Sequence, residues 1–91
     1  MRYTHDAAKQ TANIKKHGYS FEDAPGVIEG VATVTFEDRR FDYGELRFIT
    51  LGMLRNEVVV IVTTETDEEI RVISMRKANS NEQKIYFSNL G

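Results

Sequence analysis

The stretch Val58-Val59-Val60-Ile61-Val62 constrains this chain more than any other. Five consecutive β-branched side chains favour strand over helix. Successive side chains of a strand point to opposite faces, so an unbroken apolar run has to be covered on both sides. The run therefore predicts the central strand of a sheet, and the rest of the 91 residues must supply the neighbours and the covering layers. A chain of that length builds one domain, residues 1–91, around a modest core. It has no cysteine, so neither a disulfide framework nor a cysteine metal site can help hold it.

Three further segments carry the strand signature: "VATVTF", "LRFITL" and "IRVISMR". "GMLRN" and "ETDEE" are short enough to be turns of an antiparallel meander, whereas "EDRRFDYGE" is a longer polar connection. "RYT" is a candidate short opening strand. Before Gly30 the periodicity is helical. Asp6 is placed to cap "AAKQTANIKKH", in which Ala7, Thr11 and Ile14 form one stripe with Ala8 and Ala12 beside it. Gly18 is placed to end that helix in a left-handed conformation, after Lys15, Lys16 and His17 have put positive charge in its last turn. Ser20 and Asp23 resemble a capping box for "FEDAPGVI", a helix kept brief or irregular by Pro25 and Gly26. After the strands, Ser80 with Gln83 predicts the start of a last helix, from which Ile85, Tyr86 and Leu90 reach back to the sheet. The fold class is α+β. A curved antiparallel sheet of four main strands carries two N-terminal helices and one C-terminal helix, with the helices covering one face and the other only partly covered.

Charge is unevenly spread. Residues 1–20 hold four basic groups and one acidic; residues 71–91 repeat that balance, and the chain between is acidic, for a net −2. If the two ends meet, they make a positive face on an acidic body, able to draw phosphate despite the global sign. The plainer reading is an unevenly charged solvated surface. No apolar run approaches the ~20 residues of a membrane span, and "MRYTHDAAKQ" lacks the core of a secretion signal, so the expected location is the cytoplasm.

No metal constellation is visible: His5 and His17 lack ligand spacing, and "ETDEE" lacks the glycine of a calcium loop. No phosphate-cradling glycine loop or nucleophile elbow occurs. What remains is a set of cations and acid–base groups: Lys16, His17, Glu45, Arg47, Arg71 and Arg76. That inventory suits cleavage of RNA by its own 2′-hydroxyl. The reaction needs a base, cations for charge building on the phosphate, and an acid for the leaving oxygen, with no cofactor. Arginine forks match phosphate oxygens in two-point contact. Each residue also has a plainer role: Arg47 and Arg76 as partners of Glu45 and Glu82, His17 as a helix-end charge, Lys16 as solvated surface, Tyr86 as core. Arg71 and Arg76 are five positions apart and face opposite sides of a regular strand, so they share a groove only if a bulge intervenes. Arg76, next to the helix start, is the better phosphate ligand, and Arg71 the better surface residue.

Three blocks in this order, "NIKKHGYSFEDA" (13–24), "YGELRFITLG" (43–52) and "IRVISMRKANSNE" (70–82), are together specific. They resemble the BrnT family, toxins of a bacterial type II toxin–antitoxin system. The first block holds Lys16, His17, Gly18, Ser20, Phe21, Glu22 and Ala24. The second holds Gly44, Glu45, Arg47, Phe48, Ile49 and Gly52. The third holds Ile70, Arg71, Ile73, Ser74, Arg76, Ala78 and Glu82, with Tyr86 trailing. The resemblance implies a RelE-like fold and a ribonuclease that arrests translation; with the residue inventory above, the expectation is a metal-independent endoribonuclease. It also implies neutralisation by a BrnA-type antitoxin with a ribbon–helix–helix DNA-binding part, two toxins pairing with an antitoxin dimer that represses its own operon. On that reading His17, Glu45, Arg47 and Arg76 are catalytic, with proton transfer falling to His17 or Glu45, and Lys16, Arg71 and Lys77 contact RNA. The alternative is a module without catalysis that serves as co-repressor through its acidic middle, Glu65–Glu69, or its groove.

Overall fold

The computed structural model describes residues 2–39 and 44–90. The elements in chain order are β1 (Arg2–His5), α1 (Ala7–His17), a 3-10 turn (Phe21–Asp23), α2 (Ala24–Ile28), β2 (Val34–Glu37), β3 (Arg47–Leu54), β4 (Glu57–Glu65), β5 (Glu69–Lys77) and α3 (Ser80–Leu90). One sheet takes all five strands in the order β1-β5-β4-β3-β2. β2 to β5 form the expected antiparallel meander, with β4 in the centre and Val58 to Ile61 all buried. The opening strand is longer than "RYT" and lies parallel to β5, so the sheet is mixed rather than wholly antiparallel. The long connection between β2 and β3 includes residues 40–43, and with them Tyr43 of the second block, outside the described residues.

Alternation along β4 divides the core in two. Val59 and Ile61 pack with Val72, Met75, Tyr19, Phe21, Ala24 and Val27 under the N-terminal segment. Val58 and Val60 pack with Leu51, Ala78 and Tyr86 under α3. The helices therefore divide between both faces, where one covered face was predicted. An unbroken apolar β4 requires this, since each of its faces needs a layer. Tyr86 is core, and its hydroxyl donates to the Ala32 carbonyl at 2.8 Å. Ile85 and Leu90 are exposed and take no part in the buried core.

The predicted stripe of α1 is also displaced. Ala7, Ala8, Thr11, Ala12 and Ile14 are exposed, and the inward row is Gln10, Asn13 and His17, with only Asn13 fully buried. The reason lies at the edge of β5. β1 pairs with β5 only as far as His5 opposite Val72, so Met75, paired with Ile61 of β4 on one side, has no strand on the other. Asn13 takes that place: its Nδ2 donates to the Met75 carbonyl at 2.8 Å and its Oδ1 accepts from the Met75 N–H at 3.2 Å. Nδ2 also donates to the Tyr19 carbonyl at 3.0 Å, fixing the chain just past the helix. A buried, fully bonded amide at a strand edge outweighs the small apolar gain of an alanine stripe.

The termini of α1 follow expectation. Asp6 accepts from the Lys9 N–H, and Gly18 closes the helix at φ 78°. Ser20 caps the 3-10 turn, and Pro25 sits in the first turn of α2, where its missing N–H costs nothing, rather than interrupting a helix. For α3 the cap is one residue earlier than predicted. Asn79 Oδ1 accepts from the Glu82 N–H at 2.8 Å and Glu82 Oε1 accepts from the Asn79 N–H at 2.9 Å, a reciprocal capping box in place of Ser80 with Gln83. The β3–β4 turn shrinks to Arg55 and Asn56, both with positive φ, the signature of a tight two-residue hairpin. Gly52 then falls inside β3, where a Cβ would meet Val27 Cγ1 at 2.6 Å, so its glycine lets α2 press onto the sheet.

Candidate functional site

Residues directly opposite one another on paired strands project to the same face. Leu51 and Val60 are such a pair and both pack under α3. Every second row belongs to the same face. Arg76 stands opposite Val60; Ser74, Val62, Ile49 and Phe36 form the next row; Thr4, Arg71, Thr64 and Arg47 form the one after it. Hence Arg47, Arg71 and Arg76 share the face that α3 only partly covers.

That sharing depends on a bulge. The ladder pairs Ser74 with Val62 and Val72 with Thr63, leaving Ile73 without a partner in the register. The extra residue reverses the alternation between Arg71 and Arg76 and brings both onto one side. Lys77, opposite Val59, belongs to the other side.

Two of the three guanidinium groups are held by carboxylates. Arg76 donates to Glu82 through both terminal nitrogens at 2.7 Å, and also to the Lys77 carbonyl at 3.3 Å. Glu82 is itself held by the Asn79 backbone, so the cap of α3 and the orientation of Arg76 are one network. Arg47 donates to Glu45 Oε1 through Nε at 3.3 Å and a terminal nitrogen at 3.2 Å. The partner roles of Glu45 and Glu82 are therefore present.

A cleft of about 230 Å³ opens between α1 and the edge of β5, lined by Lys9, Ala12, Asn13, Lys16, His17, Ile73 and Ser74. It adjoins the arginine face through Ser74. Lys9, Lys16 and His17 of α1 line this cleft, and Arg71 and Arg76 lie on the same strand, three residues before Ser74 and two after it. Glu45 does not join them. It precedes β3, two strands from β5, and two strand spacings alone are ~10 Å. His17 and Glu45 therefore stand on elements at opposite sides of β4.

Sequence reasoning passed over several contributors. Lys9 and Ser74 line the cleft, and Thr64 sits between two arginines. Thr4 carries a buried hydroxyl without a hydrogen-bond partner at the end of the same row. Glu82 was legible as an arginine partner, but its cap role hid behind the equally regular Ser80-to-Gln83 spacing. Two phenols on the opposite face have raised titration: donation to Glu57 and then burial raise Tyr19, and burial with the nearby Glu29 and Glu65 charges raises Tyr3. Among the described residues, no three His, Asp or Glu side chains cluster so as to hold a metal ion, and no helix is long and apolar enough to cross a membrane.

No curated protein matches the chain. A family model described as "Ribonuclease toxin, BrnT, of type II toxin-antitoxin system" matches residues 5–82, from the end of β1 through the capping residues of α3. The match takes in all three blocks, the β5 bulge, the α1 cleft and the Arg76–Glu82 pair. This chain belongs to the BrnT family of ribonuclease toxins of type II toxin–antitoxin systems.

Proposed function

We propose that the chain is a metal-independent endoribonuclease whose scissile phosphate lies over β5, between the α1 cleft and the arginine face. The observation that carries this reading is the convergence of His17, Lys16 and Lys9 on the cleft that Ser74 shares with the face bearing Arg71 and Arg76. The 2′-hydroxyl attacks the adjacent phosphorus, the bond to the 5′-oxygen breaks, and a cyclic phosphate and a free 5′-hydroxyl result. One proton leaves the attacking hydroxyl and one reaches the departing oxygen. His17 carries one of these transfers, since an imidazole can both accept and donate a proton. Arg76, its plane set by Glu82, offsets the charge growing on the non-bridging oxygens, and Arg71, two rows along the same face, holds a neighbouring phosphate. Lys16 draws the backbone in. Arg47, oriented by Glu45, holds a neighbouring part of the strand, and Glu45 acts through Arg47. Lys77 contacts RNA only if the strand wraps past the end of β5.

Family membership makes RNA the target and an antitoxin protein the partner. The resemblance carries the finer picture: a RelE-like fold, arrest of translation in the cytoplasm, and a BrnA-type ribbon–helix–helix antitoxin bound as two toxins with an antitoxin dimer. A second reading, a co-repressor without catalysis, is favoured by one feature, the two-point hold of Glu82 on Arg76. Growth arrest on expression of the chain alone, relieved by Arg76→Ala, supports the enzyme. Unimpaired growth with intact binding to the antitoxin supports the co-repressor.

A further inference from the structure

The open part of the α3 face is two adjacent rows of opposite chemistry, not a uniform basic patch. One row, Thr4, Arg71, Thr64 and Arg47, offers two guanidinium groups and the Thr64 hydroxyl, the Thr4 hydroxyl at its end being buried. The next, Ser74, Val62, Ile49 and Phe36, is apolar except at its β5 end, where it meets the α1 cleft. Neither row is sealed. Arg71 is exposed, Ile49, Val62, Thr64 and Ser74 are half-buried, and Phe36 on the edge strand β2 is 43% exposed. Rows two residues apart along a strand are separated by ~7 Å. A nucleic-acid strand has the same two-sided character, charged phosphates along one side and apolar base faces along the other. Unpaired bases stack on exposed aromatic rings, whereas a duplex hides its base faces.

We infer that single-stranded RNA crosses the sheet at right angles to the strands, phosphates over the Arg71–Arg47 row and bases over the Ser74–Phe36 row, with Phe36 stacking on a base upstream or downstream of the scissile bond. This rests on the ribonuclease reading and names its substrate form. Phe36 lies three strand spacings from Ser74, ~14 Å, so the stacked base is a few nucleotides from the cleft. Val62, Ile49 and Phe36 carry no side-chain hydrogen-bonding group, so the row holds bases without reading their edges. Affinity along it is tolerant of sequence, and selectivity is for single strand over duplex.

The test is binding of the purified full chain to a 2′-O-methyl oligoribonucleotide, which lacks the attacking hydroxyl, as a single strand and as a duplex over a range of salt. Phe36→Leu keeps an apolar side chain on β2 but removes the ring. It should weaken single-strand binding by roughly 5- to 100-fold and leave the salt slope and duplex binding unchanged. Phe36→Trp should restore affinity. Arg71→Ala and Arg47→Ala should each lower the slope of log affinity against log salt by ~0.7. Equal binding by Phe36→Leu, Phe36→Trp and the wild type would overturn the base row. Unchanged slopes in both arginine variants would overturn the phosphate row. If these substitutions weakened only antitoxin binding, the face would belong to a protein and the RNA path would be wrong. Ribonuclease activity of the wild type is measured alongside on ordinary RNA. If the wild type cleaves and the Phe36 and arginine variants bind as it does, only the path fails. If it neither binds nor cleaves, the ribonuclease reading fails with it.

Discussion

Asn13 shows how one residue can override a pattern. It is polar, in the middle of a helix, and its amide replaces a strand neighbour for Met75 while tying down Tyr19. Asn13→Leu leaves the Met75 N–H and carbonyl facing a side chain that cannot bond them. It should cost about 2–4 kcal/mol in urea unfolding, well above a surface substitution. Gly52→Ala places a methyl group 2.6 Å from Val27 Cγ1, and a stiff β-branched neighbour yields poorly. A loss of about 1–3 kcal/mol in the same assay is expected. Tyr19 ties stability to alkaline pH. Its phenol is held protonated in the fold by donation to Glu57 and by burial, so its folded pKa lies above the unfolded value near 10. The stability it contributes is complete below about pH 10 and is lost as pH rises through the raised folded value. Unfolding of Tyr19→Phe followed from pH 8 to 11 should show a shallower alkaline decline than the wild type. At this scale the sequence was least legible. Asn13 has no periodic signature, because what it satisfies is an edge created by the short length of β1.

Among the elements, legibility followed the strength of the local signal. β4 was readable because five β-branched residues permit little else. The left-handed Gly18 and the Asp6 cap were readable because few residues suit those positions. The end of β3 was not, since its turn uses Arg55 and Asn56 rather than the glycine that usually marks a positive-φ pair. The bulge at Ile73 was legible only as a condition, the one that allows Arg71 and Arg76 to share a face, and pairing across β4 meets it. The α3 cap was misread because "NSNEQ" holds two capping spacings, and the one chosen also gives Glu82 to Arg76. Asn79→Ala should therefore act twice. It should lower stability by about 1 kcal/mol in urea unfolding, as the loss of an N-cap does. It should also loosen Glu82, so that RNA cleavage falls although no group touching the substrate has changed.

For the whole molecule, the net charge of −2 is a poor guide to the partner, because folding sorts the charges. Lys9 and Lys16 of α1 line a cleft against the middle of β5, the strand that carries Arg71 and Arg76, while the acidic turn from Glu65 to Glu69 joins the end of β4 to the start of β5. The α+β class, the meander and the family were all legible in the chain. The parallel docking of β1 and the division of helices between two faces were not, since both depend on which strand edge and which sheet face remain open after the meander has formed. The proposed function turns on metal-free cleavage at the β5 cleft. The direct measurement is an RNA cleavage assay in excess chelator with purified wild type, Arg76→Ala and His17→Ala, all shown to be folded by their urea midpoints. Cleavage by the wild type to cyclic-phosphate ends, with both variants slowed 100-fold or more, is the predicted result. Cleavage that vanishes in chelator, or that survives intact in both variants, would contradict it.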